Sequence, residues 1–420
     1  MLINSRKTPK NQHLMMFDLA AGGHHPAYIE HLVRYWANKK YPGKLDIVVS
    51  PDFIDQHYDV VNYCKSLDSF GNQNIKFLII TENEHRRIKQ QKTLIARFFG
   101  EWNLFCEYAK KLQCDESLIM YFDHLQLPLC FGPKSPCPFS GIYFRPTFHY
   151  SDFNHYVPTW SDTWRQWRQK LLLFMALQNP QLKILFCLDN FAVAHINRIP
   201  KKAKILPLPD PVQLAVCSEL EGAELKARLE IGKSRRVFLI FGKLDSRKGI
   251  RQVLEAIGQL PAGYCENLCL VLAGSIAPSD KLIIEKKIRE ISEFLPVQII
   301  LCDRLIPGAE VSAYFQIADV ILAPYQRHVG MSGILVLAAA AQKPVLASDY
   351  GLMGEITRQY GLGLTVDSTN PHAIAREMTR FFQEPPERFC DPQKMKQFAQ
   401  ENDAEQFADT IFSNLLSATN

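Results

Sequence analysis

Nowhere in this chain do about 18 apolar residues run together, the length a helix needs to cross a bilayer, so no membrane span is expected. The first twelve residues, Met1 to Gln12, are polar and carry Arg6, Lys7 and Lys10 without an apolar stretch behind them. That argues against a secretory signal and predicts a disordered tail over residues 1–12. There is no C-x-x-C and no Cys/His cluster, although the chain has 11 cysteines. An odd, scattered set reads as reduced thiols in the cytoplasm, not as a disulfide framework or a metal site. Charge of one sign is missing too. The 48 Lys and Arg face 43 Asp and Glu, leaving +5, and no basic run exceeds short clusters such as Arg235-Arg236. A nucleic-acid partner is therefore not expected. The dinucleotide pattern G-x-G-x-x-G is absent, which disfavours a dehydrogenase. Repeats and low-complexity tracts are absent as well. What remains is ordinary globular sequence: 420 residues, 47% hydrophobic and 22% charged, enough for two or three domains with normal cores.

The chain alternates short apolar runs with amphipathic ones. His13–Asp18 reads as a strand and is followed by a small-residue turn, Ala20-Ala21-Gly22-Gly23-His24-His25-Pro26. A helix from about Ala27 to Lys40 has Ile29, Leu32, Val33 and Trp36 on one face. Strands are predicted at Leu45–Ser50, Lys76–Thr81, Leu118–Phe122 and Leu182–Phe186, with one long helix from Asn83 to Leu112. Leu125–Trp160, rich in Pro, Phe and Tyr, reads as an ordered, irregular loop. A helix near Asp162–Leu177 carries Trp164, Trp167, Leu171 and Phe174 among Arg165, Arg168 and Lys170. It packs on a sheet or lies on a membrane surface; the pattern allows both. Three prolines in Ile205–Val212 predict a domain boundary there. Beyond it the pattern is of six apolar strands alternating with helices. They include Val237–Phe241, Leu268–Ala273, Val297–Cys302, Asp319–Ala323 and Pro344–Ser348. Such alternation means a doubly wound parallel sheet, whose ligands bind beyond the carboxyl ends of the strands. The expected layout is a first domain over 13–205, a second over 206–390, and helices over 391–420 whose apolar face is Phe398, Phe407, Ile411, Phe412 and Leu415.

Two strand ends carry chemistry. After Val237–Phe241 comes Gly242-Lys243-Leu244-Asp245-Ser246-Arg247-Lys248-Gly249, three cations just ahead of a helix. Free amides at a helix start attract phosphate, and Lys243 and Lys248 would add point charges for a diphosphate. A solvated basic turn is the alternative. After Asp319–Ala323 comes Pro324-Tyr325-Gln326-Arg327-His328-Val329-Gly330-Met331-Ser332-Gly333-Ile334. Its glycines permit close backbone approach, and Ser332 is placed to cap the following helix. A plain capped helix would also explain Ser332.

Gly242–Gly249, then Ala273-Gly274-Ser275, Ala318-Asp319-Val320, Lys343-Pro344-Val345-Leu346-Ala347-Ser348 and Gly351 follow one another over roughly 110 residues. This series resembles the retaining group 1 nucleotide-sugar glycosyltransferases. The resemblance implies a GT-B architecture: two Rossmann-like, doubly wound parallel-sheet α/β domains facing a central cleft, with the helices over 391–420 crossing back to the first domain. It implies a nucleotide-sugar donor, a glycan, lipid-linked or small-molecule acceptor, and donor diphosphate on Lys243 and Lys248. The nucleobase would meet the loop Asp303 to Pro307, with Arg304 and Leu305 in it, and the backbone of Gly330, Met331, Ser332, Gly333 and Ile334 would hold the donor. Gly22 and Gly23 match the family's glycine turn, and His124, after Leu118–Phe122, matches a histidine near the transferred sugar. His24 and His25 are weaker candidates, and Tyr143–Tyr150 is an acceptor-lining segment or a packed loop. No D-x-D triplet occurs, the usual metal sign of the other large glycosyltransferase fold, so transfer without a metal or other cofactor is expected. One departure stands out. The family's paired glutamates, eight positions apart, fall on Val329 and Leu337, and the loop matches an S-G variant instead. A non-catalytic nucleotide-sugar or glycan-binding relative, and a UDP-sugar epimerase of the same fold, stay open. The expected location is cytoplasmic, with peripheral contact at the inner membrane face as one reading.

Overall fold

The computed structural model describes residues 12–23, 25–68, 74–153, 155–212 and 218–416, with 65–68 as backbone alone. The tail expected over 1–12 lies outside these residues except for Gln12, which opens the first strand; His24 lies outside them too. The chain divides into two compact units. The first holds residues up to His149, Pro158–Pro211 and the chain from Ala404; the second holds Tyr150–Val157 and Val212–Asp403.

The first unit is a seven-stranded sheet. Its strands are β1 (Gln12–Asp18), β2 (Gly43–Val49), β3 (Ile75–Ile79), β4 (Glu116–Ile119), β5 (Phe139–Tyr143), β6 (Leu182–Cys187) and β7 (Lys204–Pro207). All pairings are parallel, in the order β3-β2-β1-β4-β5-β6-β7. Successive side chains of a strand point to opposite faces. Leu14 and Met16 accordingly enter one core, with Ile29, Leu32, Val33 and Trp36 of helix His25–Lys39. Met15 and Phe17 enter the other, with Trp102, Leu104 and Phe105 of helix Leu94–Leu112.

Three expectations are corrected here. The long helix over 83–112 is two, Glu82–Lys89 and Leu94–Leu112, because Thr93 turns its hydroxyl to the Ala96 amide (3.1 Å) and starts a new helix. The supposed loop Leu125–Trp160 contains helix Gln126–Phe131 and the wholly buried β5. Five residues bounded by prolines are too few to show a period, yet they lie in mid-sheet, where both faces are covered. The proline-rich segment begins with a strand. Pro207 is tolerated because β7 is an edge, where a missing amide costs little.

The second unit has β8 (Arg236–Phe241), β9 (Leu268–Ala273), β10 (Gln298–Cys302), β11 (Val320–Ala323), β12 (Val345–Ser348) and β13 (Gly363–Val366), in the order β10-β9-β8-β11-β12-β13. Strand order reverses between β8 and β11, as it does between β1 and β4 in the first unit. Loops that leave neighbouring strands in opposite directions open a crevice at such a point. Ile250, Val253, Leu254 and Ile257 of helix Ile250–Ile257 fill the core beneath β8 and β9. Of the C-terminal helices, Pro392–Glu401 stays with the second unit, Phe398 packing on Tyr360 at 4.5 Å between ring centroids. In helix Ala404–Leu415, Phe407, Ile411, Phe412 and Leu415 join the first unit's core beside Tyr28 and Trp36. The short segment Tyr150–Val157 belongs to the second unit, where Tyr156 meets Tyr350 (5.5 Å). Nothing in its sequence marks this exchange.

Candidate functional site

The two loops singled out in the second half leave β8 and β11, the neighbours at the switch point. Past β8, Gly249 has φ +72°, and a Cβ there would stand 2.2 Å from the Pro324 carbonyl oxygen. Only glycine lets the first loop lie this close to the second. The turn Ser246–Lys248 points Lys248 inward, 6% exposed. Its ammonium donates to the Phe241 carbonyl (2.7 Å) and to the Tyr325 hydroxyl, and lies 4.5 Å from the centre of that ring. The Tyr325 hydroxyl in turn meets Ser332 Oγ at 3.1 Å. No carboxylate among the described residues pairs with Lys248, so its buried ammonium is met only by a carbonyl and a phenol among them.

Ser332 occupies the N-cap position of helix Gly333–Ala340, but its side chain makes no capping hydrogen bond. The expected side-chain cap is corrected: the hydroxyl is drawn to Tyr325 instead. A helix cannot satisfy its own first amides, so those at Gly333 and Ile334 are placed to receive an anion. Gly330 and Met331 lie in the loop ahead of it, where His328 Nε2 donates to the Met331 carbonyl (3.2 Å). Gln326 anchors this loop, its amide donating to the Arg247 carbonyl (2.8 Å) and its Nε2 to that of Ser368 (2.7 Å). Lys243 is exposed, with no partner among the described residues. Between Pro324 and Ala341 there is no carboxylate at all, and Val329 and Leu337 are half-buried.

The loop after β10 is differently occupied. Asp303 accepts from Lys281 (2.7 Å) and from the Ile276 amide (2.9 Å), which hold its carboxyl below the usual range. Arg304 is committed to both oxygens of Glu310, at 3.2 and 2.5 Å. Leu305 is 82% exposed. A hollow of about 520 Å³ beside Arg247 and Gln326 contains none of the predicted donor residues.

At the first unit's switch point lies a pocket of about 150 Å³. Asp18, the last residue of β1, accepts from the Ala20 amide (2.9 Å) and from His25 Nδ1 (2.6 Å). It thereby shapes the glycine turn and aims the imidazole. The turn is also tied by His57 Nε2, which donates to the Ala21 carbonyl (2.8 Å). Gly23 has φ +71°, while a Cβ at Gly22 would meet nothing within 4 Å. Beyond β4, His124 Nε2 contacts Glu101 (2.7 Å), which Arg97 also holds (2.9 Å). Both histidines pack on Tyr121, at 5.3 and 5.0 Å, and line the same pocket. Burial works to lower the His25 pKa, but Asp18, with Asp123 behind it, outweighs burial and raises it. Burial would raise Glu101, yet His124 and Arg97 bring it below its ordinary value. Asp123 is lifted by burial to about 6, against the pull of the Phe144 and Arg145 amides it accepts from. Two histidines, each oriented by a carboxylate through one nitrogen, can bind hydroxyls or move a proton through the other.

The structure therefore brings Lys248, Tyr325 and Ser332 together, and separately His25 and His124. Sequence reasoning missed Asp18, Glu101 and Tyr325 as site residues. A carboxylate closing β1 before a glycine turn was a legible signal. Glu101 was not, because it arrives from another helix.

Comparison with known proteins bears on the fold and on the second unit's sequence. Residues 222–402 match the family described as glycosyl transferases group 1. A stretch of 134 residues, 31% of this chain, is 29% identical to the lipopolysaccharide 1,2-N-acetylglucosaminetransferase of Salmonella typhimurium. That stretch spans about a third of the curated relative's length, 35%. Among solved structures, sucrose-phosphate synthase from Thermosynechococcus elongatus superposes with a TM-score of 0.66 at 17% identity, over 97% of this chain and all (100%) of that one. A glycosyltransferase from Rickettsia africae ESF-5 gives 0.65 at 13%, and Anabaena HepE in complex with UDP and glucose 0.65 at 11%, each over 97% and 100% of the two chains. The architecture is GT-B, and its second unit carries a match to the glycosyl transferases group 1 family over residues 222–402.

Proposed function

We propose that the protein is a glycosyltransferase that moves a sugar from a nucleoside-diphosphate sugar to a glycan, lipid-linked or small-molecule acceptor, with retention and without a metal. The observation that carries this reading is the buried, carboxylate-free Lys248 beside the open amides of helix Gly333–Ala340, at the switch point of a sheet whose residues match the family. A diphosphate leaving group keeps the electron pair of the broken C–O bond and gains one negative charge, which a fixed ammonium and aligned amides stabilise without reorganising. Lys243, exposed and unengaged among the described residues, adds charge from the rim. Leu305 offers an apolar face for a nucleobase, whereas Arg304, tied to Glu310, serves to brace that loop.

In the first unit, His124 and His25 hold hydroxyls of the sugar or acceptor, and their carboxylates fix which ring nitrogen faces the pocket. With no carboxylate between Pro324 and Ala341, the backbone amides at Ser332–Ile334 take over the donor contacts. A panel of nucleoside diphosphates, read by melting temperature, tests donor binding, since a bound ligand raises it by mass action. Release of nucleoside diphosphate on adding acceptor, with the product anomer read by NMR, tests transfer. Absence of stabilisation by every nucleotide, together with no donor consumption, would remove the proposal.

A further inference from the structure

Helix Trp160–Ala176 is inside out. Its apolar stripe, Trp160, Trp164, Trp167, Leu171 and Phe174, is 92%, 59%, 56%, 42% and 42% exposed. The spacing of four, three, four and three residues keeps all five on one line along the helix. The face that packs inward instead contains Gln166, Leu173 and Ala176, with Gln169 accepting from the Thr147 amide and hydroxyl (both 2.8 Å). Capping by Thr159 and Asp162 fixes the start of the helix, so the stripe is presented by an ordered element. Trp164 and Trp167 stack at 5.3 Å. The neighbouring helix Gln126–Phe131 adds Phe131, 65% exposed, and its Cys130 touches the Leu172 carbonyl (4.0 Å). Exposed single apolar residues are normal, but a contiguous aromatic row is not.

The charge around the row says what covers it. At about 100° per residue, Arg168 and Lys170 stand roughly 80° to either side of the stripe, both exposed. The segment after the helix adds Arg198, Lys201 and Lys202, and it reaches the helix end where Gln178 Nε2 donates to the Pro200 carbonyl (2.6 Å). Over residues 126–138, 157–178 and 190–202 there are seven Lys and Arg against a single acid, Asp162, which Arg165 already engages (2.7 Å). Two copies of this chain meeting through the stripe would bring those cations onto each other, and like charges repel. An anionic bilayer attracts them, while Trp, Leu and Phe enter the headgroup boundary and Arg and Lys reach up to the phosphates.

We propose that helix Trp160–Ala176 docks the first unit onto an anionic phospholipid surface, lying in the interface plane. Among the described residues no helix is long and apolar enough to cross a membrane, so the contact is peripheral. This inference does not depend on sugar transfer.

The test uses the full chain with vesicles of phosphatidylcholine alone and of phosphatidylcholine with phosphatidylglycerol. The expected result is co-sedimentation with the anionic vesicles only, weakened by salt as screening shortens the reach of the charges. The exposed pair Trp164→Ser/Trp167→Ser should lower the bound fraction at least about tenfold, the loss expected when two interfacial aromatics are removed. Arg168→Gln/Lys170→Gln should lower it too, with the circular-dichroism melt of both variants unchanged. Three results overturn the proposal: no sedimentation with either vesicle, equal binding to both compositions, or undiminished binding by the tryptophan variant. A lipid-free dimer that the tryptophan variant dissolves would also overturn it, assigning the stripe to a second copy.

Discussion

Lys248→Ala is the sharpest probe of the donor site. The substitution removes a buried ammonium and leaves the Phe241 carbonyl and the Tyr325 hydroxyl without their donor. A hydrogen bond to a charged group contributes about 1.5–3 kcal/mol. Affinity for a nucleoside diphosphate should therefore fall by roughly 10- to 100-fold. The same change leaves a buried acceptor unsatisfied, a separate stability cost of about 1–3 kcal/mol. Binding must thus be measured on folded protein, by calorimetric titration well below the melting point. Lys248→Met supplies the control: it restores the packing volume but not the charge, so stability should partly recover while affinity stays low. Lys243→Ala, at an exposed position, should weaken binding less and leave the melting point in place. Unchanged nucleotide affinity in both Lys248 variants would refute the reasoning and reduce the lysine to a brace for Tyr325 and Ser332.

Other perturbations follow from the same geometry. Gly249→Ala sets a Cβ 2.2 Å from the Pro324 oxygen at φ +72°, so a loss of about 2 kcal/mol or more is expected by denaturant titration; Gly22→Ala, with open space around it, should stay within about 0.5 kcal/mol. Because Asp18 raises the folded-state pKa of His25, their pairing stabilises fully below the unfolded value of about 6.5 and fades as pH rises through the folded one. Asp18→Asn should then cost more stability near about pH 6 than near about pH 8, and a pH-independent loss would contradict the pairing. Leu305→Ser should leave stability within about 0.5 kcal/mol yet weaken nucleotide binding several-fold; equal affinity would take Leu305 out of the base contact.

The strands of the second unit were legible because a parallel sheet covered by helices buries both faces. Its strands then read as unbroken apolar runs, as in Leu268–Ala273, where every residue is buried. The loops that leave them were legible for a local reason: glycines and lysines at a strand end carry their chemistry with them. The N-terminal half hid β5, which is five residues among prolines, and the second unit hid β13, which opens with glycine and has no apolar run of its own.

By itself the sequence determined what is local: the alternation of strand and helix, the glycines at Gly242 and Gly249, the cations beside them, and the family resemblance these pieces carry. Only the tertiary structure decided what depends on distant residues meeting. It joined Lys248 to Tyr325 and Ser332, which lie 77 and 84 positions away. It set Glu101 against His124 and sent the residues from Ala404 back to the first unit. It also turned the stripe of Trp160–Ala176 outward, because a helical period shows that one face is apolar but not which face the rest of the chain will cover.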